Sequence, residues 1–236
     1  MRRFAIGAVI VLLCWPVGAA QNASLPPLQR IIEKPFPISV KADTCGHHVG
    51  TAVHFMGAAA GVLTGVERVP GLCDPDSSTD GEKIELQGLR FEDALDKLIE
   101  IDPRYRWAEL DGVIVMRPLE AWSDANNVLN RKLSGFVMHE GNFARALSLW
   151  RAAAFGDESP SLSRQPGRSE HAKRKFSVNA GPLPLSDVLD AIVRAHGALS
   201  WMVSYKAAPA TLETMVVDLH TFDGEATLTQ HYPRQE

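Results

Sequence analysis

The chain has 236 residues, 45% of them hydrophobic and 22% charged, which suits one or two globular domains and excludes wholesale disorder. Its 24 basic residues against 28 acidic ones leave a formal charge of −4, so nothing in the bulk composition draws it to nucleic acid or anionic lipid.

Residues 1–20 read as a signal peptide. Arg2 and Arg3 form the positive region, Phe4 to Trp15 the apolar run, and Gly18-Ala19-Ala20 the small-residue cleavage site. The run is too short for a comfortable membrane span. Cleavage is expected after Ala20, leaving a soluble periplasmic or secreted chain with no integral membrane segment. Cys14 invites a lipoprotein reading, but the residue before a lipidated cysteine is normally small and Leu13 is not. Cys45 and Cys73 remain after cleavage. In an oxidising compartment they most simply pair, which would stabilise the fold by roughly 3–4 kcal/mol. Two unpaired thiols are the alternative, since spacing does not test bond geometry.

Residues 21–37 are rich in Pro and form an extended lead-in; Asn22-Ala23-Ser24 fits the glycosylation pattern. Ile38 to Val40 make a short strand. Val49, Ala52, Val53, Met56 and Ala60 keep helical spacing, so a helix is predicted from Gly46 to Leu63. A loop follows over 70–82. Ile84 and Leu86 alternate with polar residues as in a half-buried strand. Phe91, Ala94, Leu95, Leu98 and Ile99 give one apolar helix face, and Asp102-Pro103 ends that helix. Tyr105 to Leu110 and Val113 to Met116 are strands joined at Asp111-Gly112, a pair suited to a type I′ turn.

After a connector over 119–132 the plan restarts. Leu133 to Met138 reads as a strand, and Phe143, Ala146, Leu147, Trp150 and Ala153 mark a helix. Residues 156–175 are polar and aperiodic, a mobile loop. Phe176 and Val178 mark a strand; Leu185, Val188, Leu189, Ile192 and Val193 mark another helix. Ser200 to Tyr205 and Leu212 to Leu219 form a final strand pair, and 221–236 read as a tail.

The two halves match at one offset. Phe91 pairs with Leu185, Asp93 with Asp187, Leu95 with Leu189, Asp96 with Asp190, Trp107 with Trp201 and Ala52 with Ala146, each 94 positions apart. A shared offset across helices and tryptophans indicates a duplication. The predicted class is α+β: two tandem strand–helix–strand–helix–strand–strand repeats, at 38–118 and 133–220, with small mixed sheets covered by helices. Small units of this size have small cores, so the halves are candidates to pack together. Trp107 and Trp201 are either core anchors or contact residues.

The stretches TAVHFMGAAAG and IELQGLRFEDALDKLIEIDPRYRWAELDGVIVMRP, with Gly88, the Ala94-Leu95 to Leu98 helix start, an aromatic strand and a closing Pro118, resemble the short N-terminal domain found ahead of secretins and some TonB-dependent transporters (STN-like). The likeness covers 38–118 well and 133–220 more weakly, where Val188-Leu189 replaces the Ala-Leu pair. It implies a non-catalytic envelope module that meets another protein, here as two diverged copies in a stand-alone exported chain with no outer-membrane barrel following.

Other chemistry is thinly represented. Cys45, His47 and His48, with His54 nearby, form the best metal candidate, but closed zinc sites want ligands in paired spacing and Cys45 is claimed by the expected disulfide. Neither a G-x-S-x-G elbow nor a phosphate or dinucleotide loop is present. Asp93, Asp96, Asp187 and Asp190 read as solvated helix faces, Asp93 complementing a helix N-terminus. The basic run Arg164 to Lys175 lacks interleaved aromatics, so nucleic acid is not an expected partner. The expectation is therefore no catalytic residues, no metal and no cofactor. An envelope protein is the expected partner, and exposed strand edges offer a means of binding it. The alternatives are a small-ligand binder or hydrolase with a site between the repeats, and a self-associating assembly protein.

Overall fold

The computed structural model describes residues 23–33, 38–71, 82–156, 162–164, 170–206, 208–211, 214–223 and 227–230. Residues 1–20, expected from sequence to be a signal peptide, and Cys73 lie outside them. Cys45 is disulfide-bonded.

The periodic stretches fold as predicted in type. The first repeat runs β1 (Ile38–Val40), α1 (His47–Ala60), β2 (Leu63–Glu67), β3 (Glu82–Ile84), α2 (Phe91–Ile101), β4 (Tyr105–Leu110) and β5 (Val113–Pro118). The second runs β6 (Phe136–Gly141), α3 (Phe143–Phe155), β7 (Leu162–Arg164), α4 (Glu170–Lys173), β8 (Phe176–Ala180), α5 (Leu185–His196), β9 (Leu199–Tyr205), β10 (Met215–Thr221) and β11 (Thr227–Gln230). Helix ends follow local chemistry. The Asp43 carboxylate accepts from the backbone N–H groups of Cys45, His47 and His48 at the start of α1, which satisfies donors that a helix start leaves unpaired. Asn142 does the same for α3 by accepting from the Arg145 N–H at 3.0 Å. Gly61, with φ of 64°, and Gly197, with φ of 80°, close α1 and α5 in the left-handed conformation.

The class is α+β. Two small antiparallel sheets, β1·β3 and β6·β8, occupy equivalent places in the two repeats. The main sheet has seven strands in the order β4-β5-β2-β9-β10-β11-β7. Its central feature is that β2, from the first repeat, pairs in parallel with β5 on one side and with β9, from the second repeat, on the other. Successive side chains on a strand face opposite ways. Val66, Ile114, Met116 and Met202 accordingly join the helices of the first repeat in one apolar cluster. Val113, Val115, Trp201, Val203, Tyr205 and Leu219 join the helices of the second in another. Each repeat therefore uses its helices to cover one face of a sheet that both repeats build. Burying one such apolar side chain is worth about 1.5–3 kcal/mol, so separating the halves would strip both cores.

Gly65 shows how tightly the joint is made. It stands opposite Trp201 in the β2·β9 register, and a Cβ at this position would fall inside the space of the indole ring. Trp201 is fully buried and cannot swing away. Gly65→Ala is expected to destabilise the protein by about 3 kcal/mol through overpacking, read as a lowered urea midpoint with an unchanged slope; an unaltered midpoint would contradict the contact.

Several boundaries differ from the sequence reading. The helix expected to run to Leu63 stops at Ala60, and the residues after Gly61 become β2. The strand expected over 133–138 lies at 136–141, and the last hairpin strand at 215–221. The lead-in is more than a spacer: Ile32 is fully buried and its N–H donates to Leu89 O at 3.0 Å, as the Leu133 N–H donates to Leu183 O at 2.9 Å in the second repeat. The polar stretch 156–175 contains β7 and α4, and the expected tail contains β11, which lies between β10 and β7. The connector is also ordered, with 3-10 turns at Glu120–Trp122 and Val128–Asn130 that bury Ala121, Val128 and Leu129.

Candidate functional site

Three features draw residues from both repeats or lie where the repeat pattern is left incomplete. The first is a buried polar knot at the joint. Glu67, at the end of β2, is 0% exposed. Its Oε2 accepts from Arg117 Nε at 2.6 Å, and its Oε1 accepts from Asn127 Nδ2 at 2.6 Å and the Tyr205 hydroxyl at 2.7 Å. The other guanidinium nitrogens of Arg117 donate to Asn130 Oδ1 at 3.0 Å and Asn127 Oδ1 at 3.2 Å, while the Trp122 ring lies 5.5 Å from its centre. One carboxylate thus ties β2, β5, the connector and β9 together. Burial, with the neighbouring Glu67 charge and its hydrogen bond, pushes the Tyr205 phenol well above its usual range, so it acts here only as a donor. Every polar group of this knot is paired internally, which suits a clamp between repeats.

The second feature lies on the opposite face, where α1 crosses β9 and β10. Ser200 and His220 are cross-strand partners. Ser200 Oγ is 2.6 Å from His54 Nδ1, and the rings of His54 and His220 are 4.7 Å apart. Burial, reinforced by the neighbouring His220, lowers the His54 pKa to about 3. Burial and the charge of Arg68 lower that of His220 to about 4. Both imidazoles are therefore neutral at pH 7. Arg68 lies against Gly50 of α1: a Cβ there would be 3.1 Å from Arg68 Nε, and Nε makes no hydrogen bond among the described residues. A hydroxyl beside an imidazole is the pairing from which nucleophiles are made. Ser200, however, sits inside the sheet at 2% exposure, where no substrate carbonyl can approach its oxygen in this conformation.

The third is the outer edge of β4. In both repeats a tryptophan donates through its indole N–H to an aspartate on the helix that precedes its strand: Trp107 to Asp96 Oδ1 at 3.1 Å, and Trp201 to Asp190 Oδ1 at 2.7 Å. The pairs are equivalent in sequence, yet their surroundings differ. Trp201 is fully buried because β2 runs alongside β9. Trp107 is half-buried, and its strand β4 ends the sheet. Arg106, Glu109 and Leu110 beside it are exposed.

The residues singled out in the sequence fare differently. The structure does not gather the cysteine–histidine group: Cys45 is in a disulfide, His48 Nδ1 is 2.7 Å from Ser39 O, and His54 turns to Ser200. Among the described residues no three His, Cys, Asp or Glu side chains are placed to hold a metal. Asp43, missed as a functional residue, organises this turn; burial pushes its carboxyl up, and the three backbone donors and His48 outweigh that and hold it below the usual range. Asp93 pairs with Arg90 at the surface at 2.7 Å, and Asp96 is exposed. Asp190 overturns its expected solvated-face role. It is 3% exposed, and burial pushes its pKa to about 7 against the hydrogen bond from Trp201. Of the basic run, Lys173 pairs with Glu170 at 3.3 Å. The knot residue Glu67 and the seam residues His54, Ser200 and His220 were not singled out from sequence as groups; their signal was polar side chains at inward positions of otherwise apolar strands, for Glu67, Ser200 and His220, and of an apolar helix, for His54.

Comparison with protein-family models, curated proteins and solved structures found no match to this chain.

Proposed function

We propose that this chain is a non-catalytic module of the bacterial envelope that binds another protein, exported by its first 20 residues. The observation that carries this reading is the sheet edge at β4, whose outer side has no paired strand among the described residues, with the half-buried Trp107 beside exposed Arg106, Glu109 and Leu110. Strand edges of this kind recruit extended segments of other polypeptides. The resemblance of residues 38–118 to the short domains ahead of secretins and TonB-dependent transporters agrees with it. No helix among the described residues is long and apolar enough to cross a membrane. Cross-linking the tagged protein in the periplasm, followed by mass spectrometry, is expected to recover one dominant specific partner and a mature mass that begins after Ala20. Repeated recovery of nothing above an unrelated periplasmic control would defeat the reading.

A second reading, a small-ligand site between the repeats, is favoured by the convergence of His54, Ser200, His220 and Arg68 at the seam. Under it, a ligand screen by thermal shift would find a stabilising compound whose effect is lost in Arg68→Ala; a screen in which both proteins respond alike would dismiss it.

A further inference from the structure

The duplication makes the chain its own guide to what its free edge accepts. Strand β9 is the repeat-equivalent of β4, and Trp201 with Asp190 is the equivalent of Trp107 with Asp96. At β9 the outer edge is occupied by β2, which runs parallel to it with Thr64 opposite Ser200, Gly65 opposite Trp201 and Val66 opposite Met202. The glycine is required there because the indole occupies the space of a Cβ. At β4 the corresponding position is vacant among the described residues, and β4 pairs with β5 alone. Resting on the protein-binding reading above, we infer that β4 is the docking edge. Its ligand is an extended segment of a partner protein that adds in parallel and places a glycine opposite Trp107, flanked by branched apolar or hydroxyl residues as in β2.

The backbone supports the same placement. The two-residue turn at Asp111-Gly112 makes Leu110 and Val113 a hydrogen-bonded pair. Such pairs alternate along an antiparallel ladder, so Ala108 and Arg106 also bond inward to β5. The N–H and C=O groups of Trp107 and Glu109 therefore face outward, ready for a further strand. Residues flanking the glycine of the added segment would meet Arg106 and Ala108, as Thr64 and Val66 meet Ser200 and Met202. A residue two places after the glycine would meet Glu109, which favours a basic side chain there.

The probe is a synthetic peptide copying residues 62–68, Val-Leu-Thr-Gly-Val-Lys-Arg, with lysine in place of Glu67 to face Glu109. Titrated into the mature protein, it is expected to shift the backbone amide resonances of Trp107 and Glu109 and to bind with submillimolar affinity. Replacing its glycine by leucine is expected to weaken binding about tenfold or more, because the side chain meets the indole. On the protein, Glu109→Pro removes one outward N–H while leaving the β4·β5 ladder intact, and is expected to abolish binding with a near-native circular dichroism spectrum. Absence of binding to the wild-type protein, equal affinity for the leucine peptide, or shifts confined to residues away from β4 would each overturn the inference. The protein-binding reading stands or falls separately: if wild-type and Glu109→Pro proteins cross-link the same periplasmic partner equally well, the edge assignment alone is wrong.

Discussion

Glu67→Ala is expected to destabilise the protein by about 3–5 kcal/mol, the usual consequence of leaving a buried charge without its partner. Arg117 is 4% exposed and Glu67 0%, so water cannot replace the lost carboxylate at the guanidinium. The alanine also strips acceptors from Asn127 and from the Tyr205 hydroxyl, each a buried donor whose loss of a partner carries its own penalty. Arg117→Met should be similarly damaging, because the buried carboxylate then keeps only the neutral donors of Asn127 and Tyr205. The double variant Glu67→Met with Arg117→Met is expected to recover only the ion-pair part of the loss, since an apolar pair of similar volume often matches a buried ion pair in stability, while Asn127 and the Tyr205 hydroxyl stay without their acceptor. What the ion pair supplies is register: Glu67 accepts its bonds from β5, from the connector and from β9, and a β2 slipped by one residue would turn its carboxylate to the other face. Urea unfolding of the three variants checks this. A Glu67→Ala protein within 1 kcal/mol of wild type would mean that the knot is not closed as described.

The second large effect is on pH dependence, where two groups oppose one another. His54 and His220 have folded pKa values of about 3 and about 4, below the ordinary histidine value of about 6.5. Their contribution is complete above the unfolded value and is lost as pH falls below it, because the unfolded chain takes up the protons first. By pH 5 each has withdrawn at most about 2 kcal/mol, an upper figure since both rings keep some solvent contact. Asp190 behaves in the opposite sense. Its folded pKa is raised to about 7, so its contribution is complete below the unfolded carboxylate range and is lost as pH rises through 7. Acidification from pH 8 to 5 therefore returns about 3 kcal/mol from Asp190. The wild-type stability should change little over this range, while Asp190→Asn, which keeps an acceptor for the Trp201 N–H, should gain stability at pH 8 and then fall by up to about 4 kcal/mol at pH 5. Parallel pH profiles for the two proteins would contradict the burial of Asp190.

Much of the architecture was legible because amphipathic period and a shared offset survive in the chain. Helices α2 and α5 present Phe91, Ala94, Leu95 and Leu98, or Leu185, Val188, Leu189 and Ile192, inward as their spacing predicts. The Trp107–Asp96 and Trp201–Asp190 hydrogen bonds repeat at the same 94-residue offset as the helices. What stayed hidden is the joint. Strand β2 is Leu-Thr-Gly-Val-Glu, and its glycine and its glutamate both argue locally against a central strand. Each is explained only by a residue far away: Gly65 by the indole of Trp201, Glu67 by Arg117 and Tyr205. Asp190 was misplaced for a related reason. Its equivalent Asp96 does face solvent, and only the presence of β2 beside β9 buries the second copy. The polar seam of His54, Ser200 and His220 escaped because it is assembled from α1, β9 and β10 across the joint, and no local spacing links them.

The union of the two repeats in one sheet underlies the knot, the seam and the β4 edge left unpaired among the described residues. The most direct measurement of it is a nuclear Overhauser experiment on the isotopically labelled protein, reading interstrand amide and Hα contacts between residues 64–67 and 200–203. Cross-peaks linking Gly65 with Trp201 and its neighbours, together with slow hydrogen exchange at the amides of β2, are the expected result. Rapidly exchanging β2 amides with no cross-peaks to β9 would show that the repeats fold as separate bodies.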